Sequence, residues 1–146
     1  MKRGFTLLEL IIVIIIIGVL ATLGFTQYGR MVERARGAEA RAVLGDMRKL
    51  AFAYYVEHGN SLAGILTDTN NPLNLGTAEG QISSGCTTRH YFQYQGANIA
   101  NNIRMDFIAR RCIASGKTPN APAANTLTLT SNFQTGNDVW TSTFGY

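Results

Sequence analysis

The sequence predicts an α+β fold, in which one long N-terminal helix, apolar in its first half and amphipathic in its second, packs against a C-terminal antiparallel sheet of about four strands. Three observations predict it. From Phe5 to Phe25 the chain is an apolar block in which Glu9 is the sole ionisable side chain. A proline-free stretch then runs to His58 with apolar residues at three-to-four spacing. Beyond residue 90 the apolar period drops to two, the signature of strands.

The first element opens with a short basic stub, Met1-Lys2-Arg3-Gly4, and runs directly into the apolar block. About 20 apolar residues rising 1.5 Å each suffice to cross a hydrocarbon core of about 30 Å, so the segment can span a bilayer. Lys2 and Arg3 on one flank place that end in the cytoplasm and the bulk of the chain outside. A secretory signal has an apolar core of about 7 to 15 residues and a small-residue cleavage site, whereas this block is longer and continues unbroken into a polar helix. A simple signal-anchor leaves Glu9 unexplained: a carboxylate in a spanning helix costs on the order of 2 to 3 kcal/mol unless something compensates.

The helical pattern continues through Arg30, Glu33, Arg34, Arg36, Glu39, Arg41, Asp46, Arg48 and Lys49, with Ala40, Val43, Met47, Leu50 and Tyr54 forming an apolar stripe. Interleaved acidic residues make this basic stretch a solvated, ion-paired face rather than a nucleic-acid surface. Phe25, Tyr28, Phe52, Tyr54 and Tyr55, at helical spacing, read as core rather than as an aromatic conduit for electrons. Gly59-Asn60 is a stop signal. Residues 59–85, rich in Asn, Gly, Thr and Ser, read as a long surface connection. Strands are expected at Tyr91–Gln95, across Ile103–Arg110, at Thr126–Thr130 and at Val139–Thr141, separated by turn-forming residues. Their apolar face has a partner in the helix stripe, which gives a sheet wrapped on a helix.

The run Gly4-Phe5-Thr6-Leu7-Leu8-Glu9, followed by Leu10 to Gly18, resembles the N-terminus of type IV pilin and type II secretion pseudopilin precursors. The resemblance implies that a prepilin peptidase cuts between Gly4 and Phe5 and N-methylates Phe5. It also implies that Glu9 pairs with the N-terminal amine of a neighbouring subunit, the compensation its burial requires. Gly18 matches a helix-breaking position of the family. The proline that many relatives carry further on is absent, with Thr26 in its place. The organisation implied is a leader at 1–4, a transmembrane or filament-core half-helix at 5–25, an amphipathic half-helix at 26–58 and a globular head at 59–146.

On this reading the chain is a structural subunit, the major pilin, of a type IV pilus that supports adhesion, motility or DNA uptake. Its partners are identical subunits in a helical filament, the prepilin peptidase and the inner-membrane assembly machinery. It waits in the inner membrane as a precursor and ends in an extracellular filament on the cell surface. The runner-up is a pseudopilin of a type II secretion system; major pseudopilins tend to carry an acidic calcium loop near the C-terminus, where this chain has only Asp138 beside Asn137. A reading from another class is a monomeric membrane-anchored adhesin or DNA receptor.

Cys86 and Cys112 lie in the exported part, where oxidising conditions allow a disulfide. A metal site or a nucleophilic thiol is the alternative, but neither His58 nor His90 stands at ligand spacing and no CxxC occurs. The family usually places its disulfide nearer the C-terminus. Removing Lys2 and Arg3 from the 13 basic residues leaves 11 against 9 acidic, a balance that does not argue for nucleic acid. No catalytic constellation, cofactor loop or metal-ligand spacing is found, so the reading is not that of an enzyme.

Overall fold

A computed structural model describes residues 6–121 and 123–143. The chain divides into two compact units, Met1–Ala35 and Arg36–Tyr146. Its elements in order are a helix α1 (Leu7–Glu57), strands β1 (Leu75–Gly76) and β2 (Ile82–Ser83), and strands β3 (Phe92–Ala100), β4 (Arg104–Arg111), β5 (Thr126–Asn132) and β6 (Asp138–Ser142).

In the first unit α1 is continuous through Gly18, Gly24 and Gly29. Thr22 returns its hydroxyl to the Val19 carbonyl at 2.8 Å, so the one polar side chain between Leu10 and Phe25 is satisfied within its own turn. The apolar side chains from Leu7 to Leu23 are exposed, from 44% at Ile11 to 78% at Leu7. A stretch of 18 residues here has a mean hydropathy of 2.8 and is long and apolar enough to cross a membrane.

In the second unit the helix turns Ala40, Leu44, Met47, Ala51, Tyr54 and Tyr55 into the core. This corrects the expected stripe at one position: Leu50 is 37% exposed, and Leu44 and Ala51 carry the seam instead. The aromatic residues divide in the same way. Tyr54 and Tyr55 are buried, whereas Phe52, at 48%, and Phe25 and Tyr28 in the first unit are exposed and do not belong to a core. The helix ends in a Schellman-type cap, with Gly59 at φ +65° and the Asn60 amide donating to the Tyr55 carbonyl at 2.9 Å. Gly59-Asn60 is thus the stop that the residues predict.

The segment from residue 59 to 85 departs from a plain surface connection. Leu62, Ile65 and Leu73 are buried in the main core, and β1 and β2 form a short parallel pair. Three isolated apolar residues in a polar stretch have no period to betray them, yet each plugs the end of the helix–sheet layer. Asn71 holds the turn before β1: its side-chain amide donates to the Leu75 carbonyl at 2.7 Å and its Oδ1 accepts from the Leu75 amide at 3.0 Å.

The main sheet has the order β3-β4-β5-β6, antiparallel throughout. Its four strands fall where alternation predicts them, with their ends displaced by zero to five residues. Asn101 and Asn102, both at positive φ, make the tight turn between β3 and β4, closed by the Ile103 amide on the Ala100 carbonyl at 3.1 Å. Along β4 the inward set is Met105, Phe107, Ala109 and Arg111, and along β5 it is Leu127, Leu129 and Ser131. Gly96 on β3 lies so close to its neighbours that a Cβ there would meet Met105 Cε and sit 2.9 Å from Leu73 Cδ1.

Arg111 ends the inward row and is only 1% exposed. Its guanidinium donates to the Tyr91 carbonyl at 3.0 Å and to the Pro119 carbonyl at 2.9 Å, and lies over the Tyr91 ring at 5.0 Å. A buried cation thus ties the strand end to the loop that carries the disulfide. Arg36 and Lys117 flank the same Tyr91 ring at 4.5 and 4.9 Å. At the other edge, Arg48 pairs with Asp138 at 2.8 Å and Arg41 lies 5.0 Å from the Trp140 ring, so β6 is tied to α1 by charge and aromatic contact.

Candidate assembly interface

Glu9 and Thr6 form a capping box at the start of α1. The Thr6 amide and hydroxyl donate to Glu9 Oε2 at 3.0 and 2.9 Å, and the Glu9 amide donates to Thr6 Oγ1 at 3.3 Å. Two of the helix's orphan amides are satisfied reciprocally, and the carboxylate sits in the first turn where the helix dipole favours negative charge. Among the described residues, both bonds accepted by the carboxylate fall on Oε2. Thr6 joins the site through the S/T-x-x-E signature of Thr6-Leu7-Leu8-Glu9, which announces such a box.

Beyond this polar tip every large side chain from Leu10 to Leu20 is apolar and exposed. At about 25 cal/mol per Å² of apolar surface removed from water, such a row is unfavourable in solvent and requires lipid or other helices around it. Gly18 sits within the row, and nothing lies within 4 Å of where its Cβ would be. A second small site, lined by Ala21, Gly24, Phe25 and Tyr28, forms an apolar notch in the helix surface.

The other sequence-predicted residues are placed as follows. Gly4 and Phe5 lie outside the described residues. Cys86 and Cys112 are joined in a disulfide with their Cα atoms 5.8 Å apart, far from Glu9 in sequence and in the second unit. His58 stacks on Tyr54 with ring centroids 3.8 Å apart, its Nδ1 2.9 Å from the Tyr54 carbonyl. Asp138 has its carboxylate on Arg48. The site residues therefore divide between an apolar helix start and a stapled head.

Comparison with known proteins converges on the same region and extends beyond it. Residues 1–25 match the family described as the prokaryotic N-terminal methylation motif. The type IV major pilin protein PilE1 of Neisseria gonorrhoeae is 28% identical over 116 residues, covering 76% of this chain and 70% of that protein. A fimbrial protein of Neisseria meningitidis serogroup B is 35% identical over 109 residues, 71% of this chain and 62% of its own length. The fimbrial protein EcpC of Eikenella corrodens is 38% identical over 74 residues, 47% of this chain and 48% of its own length. The chain thus spans 48 to 70% of the length of these relatives. No solved structure matches it significantly. These relatives bear the names of structural filament proteins, not of enzymes. A methylation motif that overlaps the start of an exposed apolar helix, a sheet packed on the second half of that helix, and likeness to pilins over stretches far longer than the motif all point one way: this chain is similar to the type IV pilins.

Proposed function

We propose that the chain is the major structural subunit of a type IV pilus, made as an inner-membrane precursor, cut between Gly4 and Phe5 by a prepilin peptidase, N-methylated on Phe5 and polymerised into a surface filament. The observation that carries this reading is the apolar row from Leu10 to Leu20, exposed on all sides and headed by one carboxylate. In the precursor lipid covers the row. In the filament the same row on neighbouring subunits covers it, and Glu9 finds a further donor in a neighbour's N-terminal amine through Oε1. Cleavage is what creates that amine, so processing and assembly are coupled through one charge pair.

The half-helix of residues 5–25 then forms the filament core, that of residues 26–58 carries the head, and residues 59–146 tile the outside. Likeness to proteins named as major pilins supports a pilus over a secretion pseudopilus, and Asp138, engaged by Arg48, does not contribute to an acidic calcium loop.

Glu9→Ala tests the proposal. The variant is expected to insert in the membrane and to be processed, because the apolar row is untouched, but to yield no sheared filaments. Wild-type filament yield from Glu9→Ala would remove the role given to the carboxylate.

A further inference from the structure

A polar groove of about 530 Å³ lies in the head between the turn after β1 and the segment following Cys86, and its lining includes Thr77, Glu79, Thr87, Thr88, Arg89 and His90. Its volume falls in the range of small-ligand sites. We propose that this groove binds a neutral saccharide.

Both walls are held before any ligand arrives. On one side the β1–β2 pair frames the turn, the Ala78 amide donates to Gln81 Oε1 at 3.2 Å, and the Asn74 side-chain amide donates to the Gly80 carbonyl at 3.1 Å. On the other side the disulfide fixes Cys86, the His90 amide donates to the Thr87 carbonyl at 3.1 Å, and the Lys117 amide donates to the His90 carbonyl at 2.9 Å. Pre-formed walls reduce the ordering cost of binding.

The lining chemistry selects the ligand class. Three hydroxyls, a carboxylate, a guanidinium and an imidazole alternate donors and acceptors, which is the complement of a molecule whose own surface is hydroxyl groups that both donate and accept. One carboxylate opposed by one guanidinium makes neither a cation site nor a strong anion site. Glu79 and Arg89 stand 3.7 Å apart with side chains 90% and 63% exposed, so the pair is loose and both partners retain hydrogen-bonding capacity. In the same lining the Thr87 hydroxyl is shielded from solvent and has no hydrogen-bond partner among the described residues. An unpaired buried hydroxyl is unfavourable, and a rotation about χ1 that delivers it to a ligand hydroxyl recovers the bond. In a filament the groove would be repeated on every subunit, so weak single-site affinity would be multiplied by avidity.

The test uses the full chain in detergent micelles, titrated with neutral oligosaccharides ending in galactose, glucose, mannose, N-acetylglucosamine or N-acetylgalactosamine, with inorganic phosphate as competitor. Saturable binding to at least one is expected, weakened about tenfold or more by the Glu79→Gln, Arg89→Gln double variant, as loss of hydrogen bonds to charged groups implies. Thr87→Val is expected to weaken binding while leaving the melting temperature unchanged or higher, and Glu57→Gln, outside the groove, to bind like wild type. Absence of saturable binding to all five sugar types, equal binding by the double variant, or displacement by phosphate would each overturn the proposal. The assay needs no filament, so its failure leaves the assembly reading standing.

Discussion

Reducing the Cys86–Cys112 bond is expected to destabilise the head by about 3.5 kcal/mol. The bond closes a loop with a sequence separation of 26 residues, and the chain-entropy account gives roughly that loss of denatured-state freedom for a loop of this length. For a unit slightly over 100 residues, about 4 °C of melting temperature corresponds to each kcal/mol, so the expected fall is about 14 °C. Cys112 is buried, so a double alanine variant loses a packed sulfur as well and should melt slightly lower than the reduced wild type. The assay is thermal unfolding of the full chain in micelles, followed by near-ultraviolet circular dichroism with and without a phosphine reductant. A fall of less than about 3 °C on complete reduction would refute the reasoning, because it would mean that the reduced, unfolded chain does not regain the freedom that the chain-entropy account assigns to it.

Three further outcomes follow from the packing of the head. Phe107→Ala, at a fully buried centre of β4 whose ring meets Phe133 edge-on at 6.4 Å, should cost about 3 to 5 kcal/mol in denaturant midpoint measurements. Arg48→Ala removes the half-buried tie from α1 to Asp138 and should cost about 1 kcal/mol; hydrogen exchange should rise in β6 before it rises in β4. The Tyr94 hydroxyl is pushed far above the ordinary tyrosine value, first by burial and then by the negative charge of Glu39. Above pH about 10 the unfolded chain loses this proton while the folded chain keeps it, so stability falls as pH rises; Tyr94→Phe should flatten that alkaline decline without changing stability below it. An unchanged alkaline slope in Tyr94→Phe would contradict this account.

The elements that were legible in the sequence are those whose period survives packing. Met105, Phe107 and Ala109 alternate because one face of β4 meets the helix and the other does not, and Gly59-Asn60 stops α1 because the cap needs positive φ. Leu50 misled because steps of three and of four both continue a helical stripe, and the core selected Leu44 and Ala51, each one residue beyond the expected position. Leu62, Ile65 and Leu73 were hidden because a loop that plugs a core is set by tertiary position, which no local period encodes. Arg111 continues the inward row of β4, but a charge in that place reads as solvated until its carbonyl partners are known. At the candidate interface Glu9 stood out by its isolation, while Thr6 required the capping signature to be applied at a helix start already explained by another motif.

The measurement that tests the central claim most directly is mass spectrometry of the main component of filaments sheared from cells that make this protein. The account predicts an abundant chain that begins at methylated Phe5, lacks residues 1–4 and carries the Cys86–Cys112 bond oxidised. A chain that is absent from the sheared fraction and remains in the envelope, processed or not, would contradict it.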